Sequence, residues 1–332
     1  MLSRHFLRAK ALQAVYASVT SQIEKVDDVA AAYDFNVGRL NDLGILQLST
    51  LTQLAFTAER INEAQQQKRL APASEKTDVR HLGDNSFISR LNDSFQFQQR
   101  CNRMNIDWSS HFDTFRKIFN QLKTVQSYKD YVAAPSCSFD DDKAVALVAF
   151  KCLMNDDTLR EIIFDRDLLW EDDFDQIAQY NYMMLKDFTD ETLNEAIACP
   201  LVYNSDNSKD ANDYDFARQL AVDTFIHIDD NEPLIKKHLQ NWDMDRVALM
   251  DIILINMAIT EFTCCPSIPE RVTVDEYIEL SKEFSTEKSK LFINGILDKI
   301  LIELRVAGRI QKNSRGLYDP EIDGDTPPDD EA

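Results

Sequence analysis

The sequence predicts an all-α fold, and three observations carry that reading. Glycine (7) and proline (9) are scarce in 332 residues, so turn formers are few. Period-2 alternation of apolar and polar residues is rare, which leaves little to build hairpins from. Leu, Ala, Ile, Asp, Glu and Lys instead fill long uninterrupted segments with apolar residues at helical spacing. The length suits two domains, or one domain with a large insertion. A 44% hydrophobic and 28% charged composition can bury a sizeable core. The expected architecture is a helical bundle carrying a large inserted helical domain.

The first helix is expected over Ser3–Ser21, within a segment 1–25. Leu12, Val15, Tyr16 and Val19 form one apolar stripe, and Arg4 and Arg8, four apart, share a face beside it. Residues 26–214 form an acidic middle section with 32 acidic and 19 basic residues. Helical patterns recur there at Leu43–Gln67, Trp108–Tyr131, Lys143–Asn155 and Glu171–Asp187. Two polar stretches, 69–85 and 204–215, are expected to be irregular.

The last structured part, 215–310, contains a helix over 245–262 that Asp245 would cap, apolar on nearly all sides and so central. Pro266 and Pro269 stop the chain in a connector. Thr273 and Glu276 then form a capping-box pattern, with Val274, Ile278, Ser281 and Phe284 on one face. The final helix would be capped by Ser285 or Thr286 and packed through Leu291, Phe292, Ile296, Leu297, Ile300 and Leu304. Gly295 within it is expected to mark close helix contact, because an interior glycine costs about 1 kcal/mol against alanine. The tail 311–332 is expected to be disordered, its last fourteen residues holding seven acids and no base. An echo in rhythm links 142–180 with 215–251, with Trp170 matching Trp242; a degenerate half-repeat and coincidence both explain it.

The formal charge is -21, yet no acidic residue precedes Glu24, while Arg4, Arg8 and Lys10 do. Acid is concentrated in the middle section and the tail, and cations gather in the first helix and at Arg305, Arg309, Lys312 and Arg315. The basic helix is read either as a solvated face on a bundle or as a surface for a polyanion. Phosphates need Lys and Arg, which Arg4, His5, Arg8 and Lys10 supply. Bases stack on aromatic planes, for which Tyr16 and Phe292 are candidates if they are not core.

Other chemistries find no support. There is no P-loop, G-x-G-x-x-G or G-x-S-x-G, and the five histidines form no ligand cluster, so no metal or cofactor and no enzyme activity are expected. Asp156–Asp157 and Asp172–Asp173 read as helix caps. No apolar run would span a bilayer, the first residues lack a signal-like apolar region, and six cysteines without C-x-x-C spacing fit a reduced, cytoplasmic setting.

Residue patterns then become recognisable. R-x-x-x-R-x-K-A-L-Q-A-V-Y (4–16), FARQL (216–220) and the run from Asp245 through Lys299, above all F-I-N-G-I-L-D-K (292–299), resemble the NusB family. The resemblance covers about residues 1–22 and 215–305, and the middle section resembles the insertion of long, Bacteroidetes-type members. It implies an RNA-binding antitermination factor that pairs with the NusE-type small-subunit ribosomal protein. Together they would bind boxA of ribosomal RNA leaders within an RNA polymerase antitermination complex. By position, Arg4, His5 and Arg8 match the family's arginine-rich start, though Phe6 stands where another cation is common. Phe292 matches the aromatic beside the RNA path. Glu261 matches an acidic residue on the partner-facing side, and Lys288 replaces a common acid, which should favour RNA. The alternative is a non-catalytic protein–protein scaffold whose working surface is the acidic insertion. An accessory module of an RNA methyltransferase is disfavoured by the lack of a Gly-rich nucleotide motif.

Overall fold

The computed structural model describes residues 3–68, 81–191, 208–239 and 247–317, and these contain thirteen α-helices and no strand. The chain divides into two compact units, Gly38–Asn204 and Leu2–Val37 with Ser205–Ala332. Residues 26–37 and 205–214 of the expected insertion, 26–214, fall within the second of these units. There the Tyr33 and Tyr214 rings lie tilted against each other at 5.2 Å, and Asp34 accepts from Tyr214 and Arg218.

The unit Gly38–Asn204 holds most of α2 (Val26–Lys68), then α3 (Ser86–Asp93), α4 (Phe95–Arg103), α5 (Phe112–Leu122), α6 (Gln126–Ala133), α7 (Phe139–Met154), α8 (Asp157–Arg166) and α9 (Phe174–Asp187). The pattern at 43–67 is thus the second part of a longer helix. That at 108–131 breaks at Thr124–Val125, two β-branched residues, where Val125 is extended. Helix α7 is central and contacts α3, α5, α6, α8 and α9. At its start the buried Asp142 carboxylate accepts from the Ser86 amide (2.8 Å), the Ser86 hydroxyl and the Tyr131 hydroxyl (2.7 Å). Asp156 caps α8 through the Leu159 amide, as its position at a helix start suggests.

In the second unit, α1 (Arg4–Thr20) is capped by Ser3 and lies close to its expected bounds. The others are α10 (Ser208–His238), α11 (Leu249–Cys264), α12 (Glu270–Phe284) and α13 (Ser289–Val306). Helix α11 is buried on nearly every side and touches α1, α10, α12 and α13, which is why it is apolar all round. Its cap is Ala248; Asp245 lies outside the described residues. The expected break at 204–215 is helical from Ser208, held by tertiary partners of Asp213 and Tyr214 that outweigh weak local propensity. Helix α10 also runs unbroken through the acidic stretch 228–232, so the rhythm shared with 142–180 is not a structural repeat, and Trp242 lies outside the described residues.

Other expectations also change, and the two caps change because their side chains are recruited elsewhere. Helix α12 starts at Glu270, after Pro269, and the Thr273 hydroxyl donates to Glu261 rather than capping. The hydroxyls of Ser285 and Ser289 both donate to Asp251, so α13 starts at Ser289 and not at a Ser285 or Thr286 cap. The α12 face that is buried is Thr273, Tyr277, Leu280 and Ser281, and on α13 Leu291 is exposed. Gly295 marks no close contact: a Cβ there would meet nothing within 4 Å.

Helix α13 ends at Val306, and just beyond its Ala307 cap Gly308 has a φ of 64°, the left-handed conformation that glycine reaches without strain. Residues 312–317, expected in the disordered tail, fold back onto the connector. Asn313 donates from its amide to the Pro266 carbonyl and from its side chain to the Ser267 hydroxyl. Lys312 donates to the carbonyls of Cys265 (2.8 Å) and Glu261. A Cβ on Gly316 would lie 2.0 Å from the Pro266 oxygen, so only glycine lets the two backbones approach this closely. Residues 318–332 lie outside the described residues.

Candidate functional site

The first turns of α1 put their cations against acids and an aromatic ring. Arg4, 37% exposed, donates to Asp213 at 2.7 Å and lies over the Phe216 ring. His5 bridges Glu276 (2.7 Å) and Glu283 (3.0 Å). Its hydrogen bond to Glu276 raises the imidazole pKa to about 8 against partial burial, helped by Glu283, so the ring carries charge at neutral pH.

Arg8 is different. It is 2% exposed and forks onto Glu261, Nε to Oε2 and Nη2 to Oε1, each at 2.8 Å. Burial opposes the charge on Arg8, but the attraction and hydrogen bonds of Glu261 outweigh it and raise the pKa. Glu261, with no exposed surface, also accepts from the Thr273 and Tyr277 hydroxyls. Burial first, then the Glu261 charge, pushes the Tyr277 pKa well above normal. Two residues expected to face different ligands, RNA for Arg8 and a protein for Glu261, therefore face each other inside the core. A buried charge must be paired to be tolerated, and each is the other's pair.

The remaining sequence candidates separate by exposure. Lys10 is buried, its ammonium on Gln13 at 2.9 Å and over the Phe6 ring, and Phe292 is a core aromatic. Neither presents its side chain to solvent. Tyr16 and Lys288 are exposed. Of the adjacent Cys264 and Cys265, the first is exposed, while burial pushes the thiol of the second up to about 12, which removes thiolate chemistry from it.

The two cation-rich segments noted in the sequence meet at a cleft of about 740 Å³. Arg4 and Arg8 reach it from α1, Arg271 from α12, Arg305 from the end of α13, and Lys312 and Arg315 from the folded-back strap. Glu270 and Glu276 are its two acidic linings, and Arg305 pairs with Glu270. Ile268, Val272 and Leu317 give it an apolar wall. Burial lowers the Lys312 pKa, in keeping with an ammonium folded onto the Cys265 and Glu261 carbonyls. Arg271 was not singled out in the sequence, where a lone cation after Glu270 carries no pattern. Among the described residues no His, Cys, Asp or Glu group could hold a metal ion, and no helix is long and apolar enough to cross a membrane.

Comparison with known proteins matches the NusB family over residues 173–301. The transcription antitermination protein NusB of Salinibacter ruber (strain DSM 13855 / M31) is 36% identical over 128 residues, 39% of this chain and 76% of that protein. This chain belongs to the NusB family. The NusB of Myxococcus xanthus (strain DK1622) is 33% identical over 127 residues, covering 38% of this chain and 89% of the relative. That of Chloroherpeton thalassium (strain ATCC 35110 / GB-78) is 37% identical over 105 residues, 32% of this chain and half of the relative. No solved structure matches. The NusB match begins before residue 215, where the resemblance in the sequence resumed, and takes in α9. It leaves out α1, which contacts α10, α11 and α12 within it.

Proposed function

We propose that this NusB-family chain is a non-catalytic, cytoplasmic transcription antitermination factor that binds RNA. Its RNA is boxA of ribosomal RNA leaders, bound together with a NusE-type small-subunit ribosomal protein in an RNA polymerase antitermination complex. The observation that carries the reading is that most of the family match, residues 205–301, and the cationic first turns of α1 belong to one compact unit. Arg4 and His5 are the α1 side chains partly exposed for phosphates, and Tyr16 and Lys288 are exposed for bases and backbone. Arg8 and Lys10 act from within, holding the helix that presents them. Glu261 supports a partner face through the core rather than by touching the partner.

Titrating the full chain with boxA-type RNA and a scrambled control, with and without the NusE-type protein, tests this. Preference for boxA that grows when the protein partner is present is the expected result. Equal weak binding of both RNAs under both conditions refutes it. One observation favours the scaffold reading: Phe95, Leu168 and Leu169 stand 78%, 76% and 60% exposed on the acidic unit. A lysate partner lost when all three become serine, with boxA binding unchanged, would support it.

A further inference from the structure

We propose that the cleft between the start of α12 and the 312–317 strap holds phosphates of single-stranded RNA, with Arg271, Arg305 and Arg315 as their ligands. This rests on the RNA-binding reading above and adds to it a place and residues.

The cleft differs in charge from the chain that builds it. The whole chain has 57 acidic and 36 basic side chains, but the cleft lining has six cationic and two acidic ones. Cations concentrated in a concave, low-dielectric wall focus the field on an entering anion.

The strap that brings Lys312 and Arg315 is fastened by Asn313 and Lys312 and by the glycine-only approach of Gly316 to Pro266. Five of the six cations are arginines, whose planar forks suit phosphate oxygens and also stack on bases. Val272 and Leu317, 41% and 71% exposed, supply an apolar shelf beside them for a base face. The volume falls in the range of roughly 300–1,000 Å³ usual for small-ligand sites, enough for a nucleotide or two of one strand and too little for a duplex. An acidic peptide would be expected to use main-chain partners, but the amides of Asn313, Gly316 and Leu317 are already donating within the strap and connector.

The test uses the full chain and a fluorescein-labelled 12-nucleotide single-stranded RNA, read by anisotropy at several salt concentrations. Leu317→Glu adds a carboxylate in the cleft at an exposed site. Ile302→Glu adds the same charge outside the cleft, at a position 61% exposed. A carboxylate about 7 Å from a bound phosphate in water weakens binding on the order of threefold, so L317E should lose at least that while I302E stays near wild type. Arg271→Gln with Arg315→Gln should lower the slope of log affinity against log salt by about 1.4, at about 0.7 per contact. Equal affinities for L317E and I302E, or an unchanged slope, overturn the cleft assignment while salt-sensitive wild-type binding leaves the RNA reading standing. A wild-type chain that binds no RNA overturns both. Displacement of the RNA by poly-aspartate as readily as by unlabelled RNA would assign the cleft to an acidic protein segment instead.

Discussion

Replacing Arg8 by alanine tests the core of the second unit. Arg8 gives Glu261 two hydrogen bonds of 2.8 Å, and the carboxylate has no solvent exposure. Without Arg8, Glu261 keeps the Thr273 hydroxyl at 2.9 Å and the Tyr277 hydroxyl at 3.2 Å, but loses the cation that is hydrogen-bonded to its carboxylate. Removing one partner of a buried pair costs about 3–5 kcal/mol, a factor of roughly 150 to 5,000 in the folding equilibrium. At about 2–4 °C per kcal/mol, the melting temperature should fall by roughly 6–20 °C. Glu261→Gln keeps acceptors for Thr273 and Tyr277, and Arg8 retains Glu276 at 3.5 Å, so it should cost less. The double variant Arg8→Met with Glu261→Gln should recover part of the loss, and the double-mutant cycle gives the coupling. Urea unfolding followed by circular dichroism is the assay, paired with the salt slope of RNA binding under folded conditions. An R8A chain within about 1 kcal/mol of wild type but with a lower salt slope would show that Arg8 contacts phosphate and that the buried pairing is not what holds α1.

Gly295→Ala should stabilise the chain by about 0.5–1 kcal/mol in thermal unfolding, since the added methyl meets open space in a helix interior. Gly316→Ala should instead release the strap, seen as faster hydrogen exchange at Asn313 and Leu317, with a cost of about 1–3 kcal/mol from overpacking against Pro266. The His5 imidazole resonance should titrate near pH 8, and a midpoint at or below 6.5 would remove the Glu276 and Glu283 bridge from solution. Because the folded pKa is raised, the stability His5 adds is complete below about pH 6.5 and is lost as pH rises through about 8. Glu276, whose pKa is lowered by His5 and Arg8 against its burial, works the other way: its contribution disappears as pH falls below the ordinary carboxylate range. Replacing the seven acids of 319–332 with their amides should leave RNA affinity equal or raise it, with any gain shrinking above 0.1 M salt, where the Debye length is about 10 Å. A loss of affinity would mean the acids assist binding. A deletion joining residue 37 to 208 should fold by circular dichroism, whereas a join of 25 to 215 removes Tyr33, Asp34, Asp213 and Tyr214 and should not.

The helical class, the bounds of α1 and the buried all-apolar character of α11 were legible because each rests on local periodicity over many residues. What the sequence misplaced turns on long-range partners. Thr273, Ser285 and Ser289 have the chemistry of caps, but acids on α11 took their hydroxyls. Arg8 and Glu261 each carry a charge that sequence reading assigns to the surface, and nothing local reveals that they are 253 residues from a mutual partner. Gly295 was read from its cost alone, and only the surrounding space decides whether that cost serves packing. The cleft was half visible, since its cations were noted in two separate segments; the strap that unites them depends on Gly316 against Pro266.

The distance along the chain between Arg8 and Glu261 also sets an order of events during synthesis. At about 5–20 residues per second, roughly 13–50 s separate the making of α1 from the making of the helix that neutralises it. The unit Gly38–Asn204 is complete before that helix exists and can settle on its own contacts. For that interval Arg8 and Leu12 have neither counter-ion nor core, so α1 waits as a cationic amphipathic segment on a growing chain. Its docking is a late, high-contact-order step, and a product truncated before Leu249 would leave it exposed for the life of the fragment.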